Sequence, residues 1–499
     1  MDDDPQGAGR DAVASTQYGQ VRGRRGEGIR TFLGVPYAAP PERFELPRAP
    51  AAWRGLRDAL VPGDCAPHVI TPFPGLDVVP VVGKGGVDGR DYLTVNVWAP
   101  DDAAGRPVMV FVHGGGFVIG SKDAPVHDGS AFARSGVVCV AINYRLGIDG
   151  FLPVPGAPTN LGLRDILFAL RWVQDNIAGF GGDPANVTVF GESAGAMAIA
   201  DLITSPLVKG LFRRAIVESG HGSMVREMPI ARRLVAKLAK ILKVPQTVAG
   251  FRSASVADGL TAMAKLAKPT ARLDLRDAAG HEPVFGISRF VPVIGDDVLP
   301  VHPLTALRAG AGAEVDMLIG TNAEEMNLYF VPTGVRAKLG RLLAGWILGK
   351  SNPQPRAALR AYGLGTKGVS PGHAFTRAMT DLVFRWPARQ YAAAHLGRTW
   401  AYEFDWRSPA CNGELGACHG MELPFVFNTL PTTTGAEGLA GAAPPQDLAD
   451  RVHALWVRFA TDGTLPWMPF NALDRLVYQL EKGDVVHEPV MPAARFLPE

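Results

Sequence analysis

Two short segments restrict the fold of this chain more than any other feature. Val108-Met109-Val110-Phe111-Val112 and Val137-Val138-Cys139-Val140-Ala141-Ile142 are apolar at every position. A strand with one wet face alternates polar and apolar residues, so these two are expected to be buried on both sides, as in a parallel sheet covered by helices. Leu163, Ile166, Leu167, Leu170, Val173 and Ile177 then recur at helical spacing, opposite Arg164, Asp165, Arg171 and Gln174. Gly179-Phe180-Gly181-Gly182-Asp183-Pro184 predicts a firm helix stop, and Val187-Thr188-Val189-Phe190 the next strand, ending at Gly191. Strand, helix and strand in this rhythm predict an α/β architecture.

Further along, 222–280 turns helical in pattern, with Arg232, Arg233, Leu234, Val235 and Leu238. Val315-Asp316-Met317-Leu318-Ile319 returns to the sheet, a second helix-rich stretch covers 331–390, and 399–406 reads as extended. We read 1–499 as a single domain: one large sheet, mostly parallel and flanked by helices, with two helical insertions capping the site. The hydrophobic stretch 339–348, containing Trp346, reads as a cap helix packed on the body, with a membrane-touching lid as the alternative. The Ala-Gly-Pro stretch at 436–445 reads as a surface loop.

Charge excludes some function classes. Fifty Lys and Arg against 48 Asp and Glu leave a formal +2 over 499 residues, which argues against a dedicated nucleic-acid binder. No strongly acidic or basic run stands out. The start, Met1-Asp2-Asp3-Asp4-Pro5, lacks the positive and apolar regions of a secretory signal, and no apolar run is long enough to span a bilayer. A cytoplasmic location without a transmembrane segment is therefore expected. Cys65, Cys139, Cys411 and Cys418 show no C-x-x-C spacing, so neither a zinc site nor a redox motif is expected. Cys139 reads as a core residue. Cys411 and Cys418 could close a short loop, though a reducing compartment argues against it.

The strongest chemical signal is Gly191-Glu192-Ser193-Ala194-Gly195, placed between a buried strand and the apolar helix that follows. Such a tight reversal needs small neighbours, lifts the serine hydroxyl above the sheet, and turns a helix N-terminus toward developing negative charge. His113-Gly114-Gly115-Gly116-Phe117, at the end of another strand, has the backbone freedom an oxyanion site requires. It lacks the Lys-Ser/Thr of a phosphate loop. A serine nucleophile needs a base and an orienting acid, which follow it in the order acid, then histidine, on sheets of this kind. His373, His395, His419, His453 and His487 lie far enough downstream. His453 falls in a helical stretch, whereas His419 sits in Gly416-Ala417-Cys418-His419-Gly420, read as a flexible loop with an exposed imidazole. Glu324 and Glu325 both follow a strand, and spacing does not choose between them.

Taken together, these motifs resemble those of the type-B carboxylesterases, an α/β-hydrolase family that includes cholinesterases and bacterial para-nitrobenzyl esterases. The likeness also rests on Phe32-Leu33-Gly34-Val35-Pro36-Tyr37-Ala38, Leu93-Thr94-Val95-Asn96-Val97-Trp98, Asn143-Tyr144-Arg145 and Asn160-Leu161-Gly162-Leu163-Arg164-Asp165. His419-Gly420-Met421-Glu422-Leu423-Pro424-Phe425-Val426-Phe427 completes it. The resemblance implies that Glu325 is the catalytic acid, and that Gly115, Gly116 and Ala194 donate the oxyanion N–H groups. It further implies that Glu192 and Ser219 support the site by electrostatics and hydrogen bonding, a buried polar pair satisfied by backbone being the other reading.

Two departures stand out. Arg90-Asp91-Tyr92 replaces the family's Glu-Asp-Cys, leaving Cys65 without its expected partner, and Met326 replaces the glycine after the acid. The implied activity is hydrolysis of small to medium neutral carboxylic esters by Ser193, His419 and Glu325, with an ester and water as partners and neither metal nor cofactor. Amide, carbamate or lactone cleavage, a lipase, and a non-catalytic binding protein are the alternatives.

Overall fold

The computed structural model describes residues 10–268, 271–282 and 287–498. The acidic start that argued against a signal, and residues 269 and 270 of the first helical insertion, lie outside them. The strands in chain order are β1 (Arg10–Thr16), β2 (Gly19–Gly26), β3 (Ile29–Pro36), β4 (Leu56–Asp58) and β5 (Thr94–Pro100). They continue as β6 (Arg106–Val112), β7 (Val138–Ile142), β8 (Gly182–Glu192), β9 (Arg214–Glu218), β10 (Arg226–Glu227) and β11 (Val293–Ile294). The last four are β12 (Asp316–Asn322), β13 (Thr399–Phe404), β14 (Leu476–Gln479) and β15 (Asp484–His487).

Thirteen of these strands form one sheet in the order β1-β2-β3-β5-β7-β6-β8-β9-β12-β13-β14-β15, with β4 beside β2; β10 and β11 pair separately. From β7 to β14 every pairing is parallel, and the antiparallel pairs are confined to the two flanks. The reason the central strands are apolar throughout is visible in how they alternate. Val108, Val110 and Val112 join Val138, Val140 and Ile142 in the core on one face. Met109, Phe111, Cys139 and Ala141 join Phe190 and Phe427 in a separate core on the other. Neither face meets water, which is why β6 from Val108 onward and β7 are apolar at every position.

One boundary departs from the sequence reading. β8 begins at Gly182, not at Val187, because an irregularity between Arg106 and Val108 of β6 lets the strand pair Gly182 with Arg106 and absorb Asp183-Pro184-Ala185-Asn186. Helix Leu161–Asn176 packs its Leu163, Ile166, Leu170 and Val173 into the core as its spacing predicts. That helix also supplies Asp165, fully buried and bidentate to the equally buried Arg145 guanidinium at 2.7 and 2.6 Å. The pair ties a core helix to the turn after β7.

Helices Met228–Leu242, Val248–Ser253 and Val256–Ala267 occupy 222–280. Helices Val335–Lys338, Arg341–Leu348, Pro355–Ala361, Pro371–Thr380 and Trp386–Ala394 occupy 331–390, joined by a π-helical turn at Asp381–Arg385. Among the described residues no helix is long and apolar enough to cross a membrane. The four cysteines, Cys411 and Cys418 included, carry free thiols.

Candidate active site

Five connections leave the carboxyl ends of parallel strands on the same side of the sheet and build the site, the usual place for a ligand in an open α/β fold. β8 ends in Ser193, whose backbone takes φ 54° and ψ −122° before helix Ala194–Ile203 begins. A non-glycine residue rarely adopts that conformation. The reversal is held because no larger residue fits behind it: a Cβ on Gly195 would lie 1.9 Å from the Val112 carbonyl oxygen. Ser193 N–H donates to the Glu218 carbonyl of β9 at 2.9 Å.

β12 ends at Asn322 and leads to Glu325; β13 ends at Phe404, and its long connection returns with His419. His419 Nε2 stands 2.7 Å from Ser193 Oγ, and His419 Nδ1 2.7 Å from Glu325 Oε2. The other Glu325 oxygen accepts the Asn322 N–H at 2.8 Å. Adjacent Glu324 turns away to the surface, where it pairs with Arg407 and accepts the Ala417 N–H at 3.1 Å. The remaining candidate histidines are engaged elsewhere: His395 with Gly312 and Thr399, His453 with Val426 and Ser135, His373 with Ser370, His487 with the Asp474 carbonyl.

His419 corrects one expectation. Its imidazole is not exposed but 5% accessible, walled by Phe384 and Tyr329 with ring centroids 4.7 and 5.7 Å away. Phe384 lies in the π-helical turn, a local irregularity that no periodicity in the sequence announces.

β6 runs into the glycine loop. Gly115 takes φ 105°, and a Cβ there would strike the Ile119 carbonyl oxygen at 2.2 Å. The loop is anchored by His113, which stacks on Tyr144 at 4.5 Å and meets the Gly114 carbonyl at 2.9 Å, while Tyr144 Oη donates to the His113 carbonyl at 2.8 Å. Burial lowers His113 to about 3 and keeps it neutral. Among the described residues the Gly115, Gly116 and Ala194 N–H groups have no internal acceptor.

Carboxylates surround the imidazole. Glu192 Oε1 lies 3.1 Å from His419 Nε2 without forming a hydrogen bond, since that nitrogen is directed at Ser193. Glu422 Oε1 accepts from Ser219 Oγ at 3.4 Å, and its other oxygen accepts from Asn322 Nδ2. Glu218 Oε1 accepts from Trp456 Nε1 at 2.9 Å. Burial pushes Glu192, Glu218 and Glu422 upward, and repulsion from neighbouring carboxylates adds to it: Glu325 on Glu192, Glu422 and Glu192 on Glu218, Glu192 and Glu325 on Glu422. For His419 burial acts downward, but the Glu192 and Glu325 charges outweigh it and raise the imidazole above its ordinary value. Glu422 and Glu218 were not singled out in the sequence; Glu422 lies three residues after His419 inside the quoted motif, which was the available signal.

A cavity of about 480 Å³ adjoins Ser193, His419 and the glycine loop. Its walls are apolar, with Val81, Ile119, Leu260, Met263, Phe290 and Tyr329. Arg289 is the only Lys or Arg among the described lining residues; its guanidinium stands 3.5 Å from Glu282, a carboxylate it shares with Arg226. Among the described residues no group of three or more His, Cys, Asp or Glu side chains is arranged to hold a metal ion.

The model of the carboxylesterase family matches residues 10–488. The chain belongs to the carboxylesterase family. Within it, the chain is 36% identical over 470 residues to the para-nitrobenzyl esterase of Bacillus subtilis (strain 168), covering 90% of both chains. It is 32% identical over 502 residues to the phenmedipham hydrolase of Pseudarthrobacter oxydans, covering 93% of this chain and 94% of that one. A solved para-nitrobenzyl (PNB) esterase structure superposes with a TM-score of 0.82 at 30% identity, covering 98% and 99% of the two chains. This carboxylesterase is accordingly a serine hydrolase with the α/β-hydrolase fold.

Proposed function

We propose that this carboxylesterase cleaves small to medium neutral carboxylic esters with Ser193 as nucleophile, His419 as base and Glu325 as orienting acid. The reading rests on one observation: the unbroken line from Ser193 Oγ through His419 to Glu325, with 2.7 Å at each step, beside an apolar cavity. As Oγ attacks the ester carbonyl, its proton passes to His419 Nε2, and Glu325 stabilises the imidazolium through Nδ1. The carbonyl oxygen, now an anion, is held by the Gly115, Gly116 and Ala194 N–H groups, which have no other acceptor among the described residues. The tetrahedral intermediate collapses to an acyl-serine, and the alcohol leaves with the proton from Nε2. Water then gives a proton to His419, its oxygen attacks the acyl carbon, and the acid is released with Oγ reprotonated.

Glu192, close to Nε2 but not bonded to it, adds to the field that favours imidazolium. Ser219 acts one step further out, through Glu422 and Asn322. The whole chain reads as one domain whose insertions cap the cavity: Leu260, Met263, Ala264 and Ala267 of the first form part of its wall. Phe384 of the second covers the imidazole. Ester size is bounded by the 480 Å³ cavity, and its apolar walls favour neutral acyl groups. The test is turnover of para-nitrophenyl esters from acetate to laurate, wild type beside Ser193→Ala. Loss of turnover in the variant is expected; equal turnover in both would overturn the assignment.

A further inference from the structure

Between Met326 and Thr380 the chain carries eight Lys or Arg and not one Asp or Glu, in a protein whose charges otherwise nearly balance. Spread this thinly, the bias forms no run in the sequence. In the fold it is gathered, because helices Val335–Lys338, Arg341–Leu348, Pro355–Ala361 and Pro371–Thr380 pack on one another as one helical module. One of the eight, Arg336, is buried and pairs with Glu414. Lys338, Arg341, Arg356, Arg360, Lys367 and Arg377 are exposed, and none makes an ion pair among the described residues.

The same module bears an apolar ridge. Ala344 and Leu348 turn inward from helix Arg341–Leu348, while Leu342 is 86%, Leu343 48% and Trp346 60% exposed. Leu342, Trp346 and Lys350 follow at four-residue spacing on one side of the helix, and the Lys350 ammonium sits 3.7 Å over the Trp346 ring. Helix Arg341–Leu348 thus packs its inward side on the neighbouring helices of the module and leaves Leu342, Leu343 and Trp346 in water.

We propose that this module docks the enzyme on an anionic lipid surface, the Leu342–Trp346 ridge entering the headgroup region and the module's exposed cations meeting lipid phosphates. Charge complementarity selects the occupant. A second copy of the chain would bring six uncompensated cations against six. A single-stranded nucleic acid would need aromatic platforms for its bases, where the ridge offers aliphatic side chains and one indole, and a duplex would leave the apolar ridge in water. An exposed apolar ridge on a module that carries exposed Lys and Arg and no acid is the combination that binds an acidic bilayer interface. Docking does not depend on which ester is cleaved.

The test is flotation of the full chain with vesicles of equimolar phosphatidylcholine and phosphatidylglycerol, beside vesicles of phosphatidylcholine alone. Wild type should float with the anionic vesicles, stay behind with the neutral ones, and be released by high salt. Lys338→Glu, Arg341→Glu and Arg356→Glu combined should lower partitioning on the order of 100-fold or more. Leu342→Ser with Trp346→Ser should lower it on the order of 10- to 100-fold. Tryptophan emission should shift to the blue on vesicle addition in wild type and shift less in Trp346→Phe. All variants lie outside the cavity, so unchanged turnover of soluble para-nitrophenyl butyrate certifies their fold; if the triple variant loses turnover, Arg341→Glu alone carries the test. Absence of wild-type flotation, equal flotation with neutral vesicles, or charge reversal without effect would overturn the proposal. Tight retention on immobilised polyglutamate that Leu342→Ser leaves intact would instead assign the face to an acidic protein, and overturn it equally.

Discussion

The strand-end cluster around His419 and the helical module at 326–380 handle excess charge in opposite ways. Around His419, Glu192, Glu218, Glu325 and Glu422 are all buried, and one imidazole is the sole cation-forming partner in their midst. There the excess is negative, desolvated and shared among a few protons, so small displacements alter which group is ionised. In the module the excess is positive and, Arg336 apart, carried by exposed side chains in water. Buried excess charge tunes chemistry; exposed excess charge selects what the protein touches.

Substitutions at the two places should therefore separate cleanly. Ser193→Ala should lower kcat by on the order of 10⁴ to 10⁶, measured with para-nitrophenyl butyrate after confirming an unchanged unfolding temperature. Glu325→Gln should lower it on the order of 10⁴ by presenting the wrong partner to Nδ1. Its neighbour Glu324→Gln, which loses a largely exposed pair with Arg407, should leave kcat within about twofold and stability within ~1 kcal/mol. Comparable losses in the two would erase the distinction between them. Away from both regions, Asp165→Ala leaves the Arg145 guanidinium buried and unpaired, and should destabilise by about 3–5 kcal/mol in urea unfolding.

The buried carboxylates also set a pH dependence. Glu422 rises to about 8 from an ordinary 4.5 on folding, mainly through burial and the repulsion of Glu192 and Glu325. Between those limits the folded state holds more protons than the unfolded one, so this group's contribution to stability falls as pH rises from 4.5 toward 8. His419, also raised, acts in the same direction: its stabilisation is full below 6.5 and is lost as pH climbs through its folded value. Glu422→Gln should flatten the decline in unfolding temperature over that window. In activity the raised His419 places the acid limb of kcat/KM above the ordinary imidazole range, and Glu192→Gln should move that limb to lower pH. A limb unmoved by Glu192→Gln would show that its carboxylate does not act on the imidazole. A modest effect on selectivity is expected at Arg289, half-shielded by Glu282: Arg289→Met should change the preference between neutral and carboxylate-bearing acyl groups by about 3- to 10-fold.

Most of the sheet was legible because its central strands are buried on both faces, which leaves an unbroken apolar run such as 108–112. The early start of β8 was not, because a strand irregularity licenses a polar, proline-containing segment that no alternation rule anticipates. Ser193 and the glycine loop could be read directly, as tight reversals demand small residues at fixed offsets. The choice between Glu324 and Glu325 came only from family resemblance, since two adjacent acids after a strand look alike until the chain turns. The burial of His419 was misjudged for a related reason: its loop is rich in small residues, and the Phe384 and Tyr329 walls arrive from elsewhere. The cationic module went unread because its charges are distant in sequence and become neighbours only once the helices pack.

The loops that carry Glu325 and His419 are stitched to each other before either meets Ser193. Glu324 N–H donates to the Ala417 carbonyl at 2.9 Å, His419 N–H to the Glu325 carbonyl at 3.2 Å, and Asn322 Nδ2 to the Cys418 carbonyl at 2.7 Å. Glu325 and His419, the proposed acid and base, thus share one scaffold that can shift only as a unit. Cavity-wall residues such as Leu260 and Met263 can be exchanged for others of different size while the Ser193–His419–Glu325 distances stay fixed, which, on the proposed mechanism, leaves the choice of ester free to diverge without rebuilding the reaction.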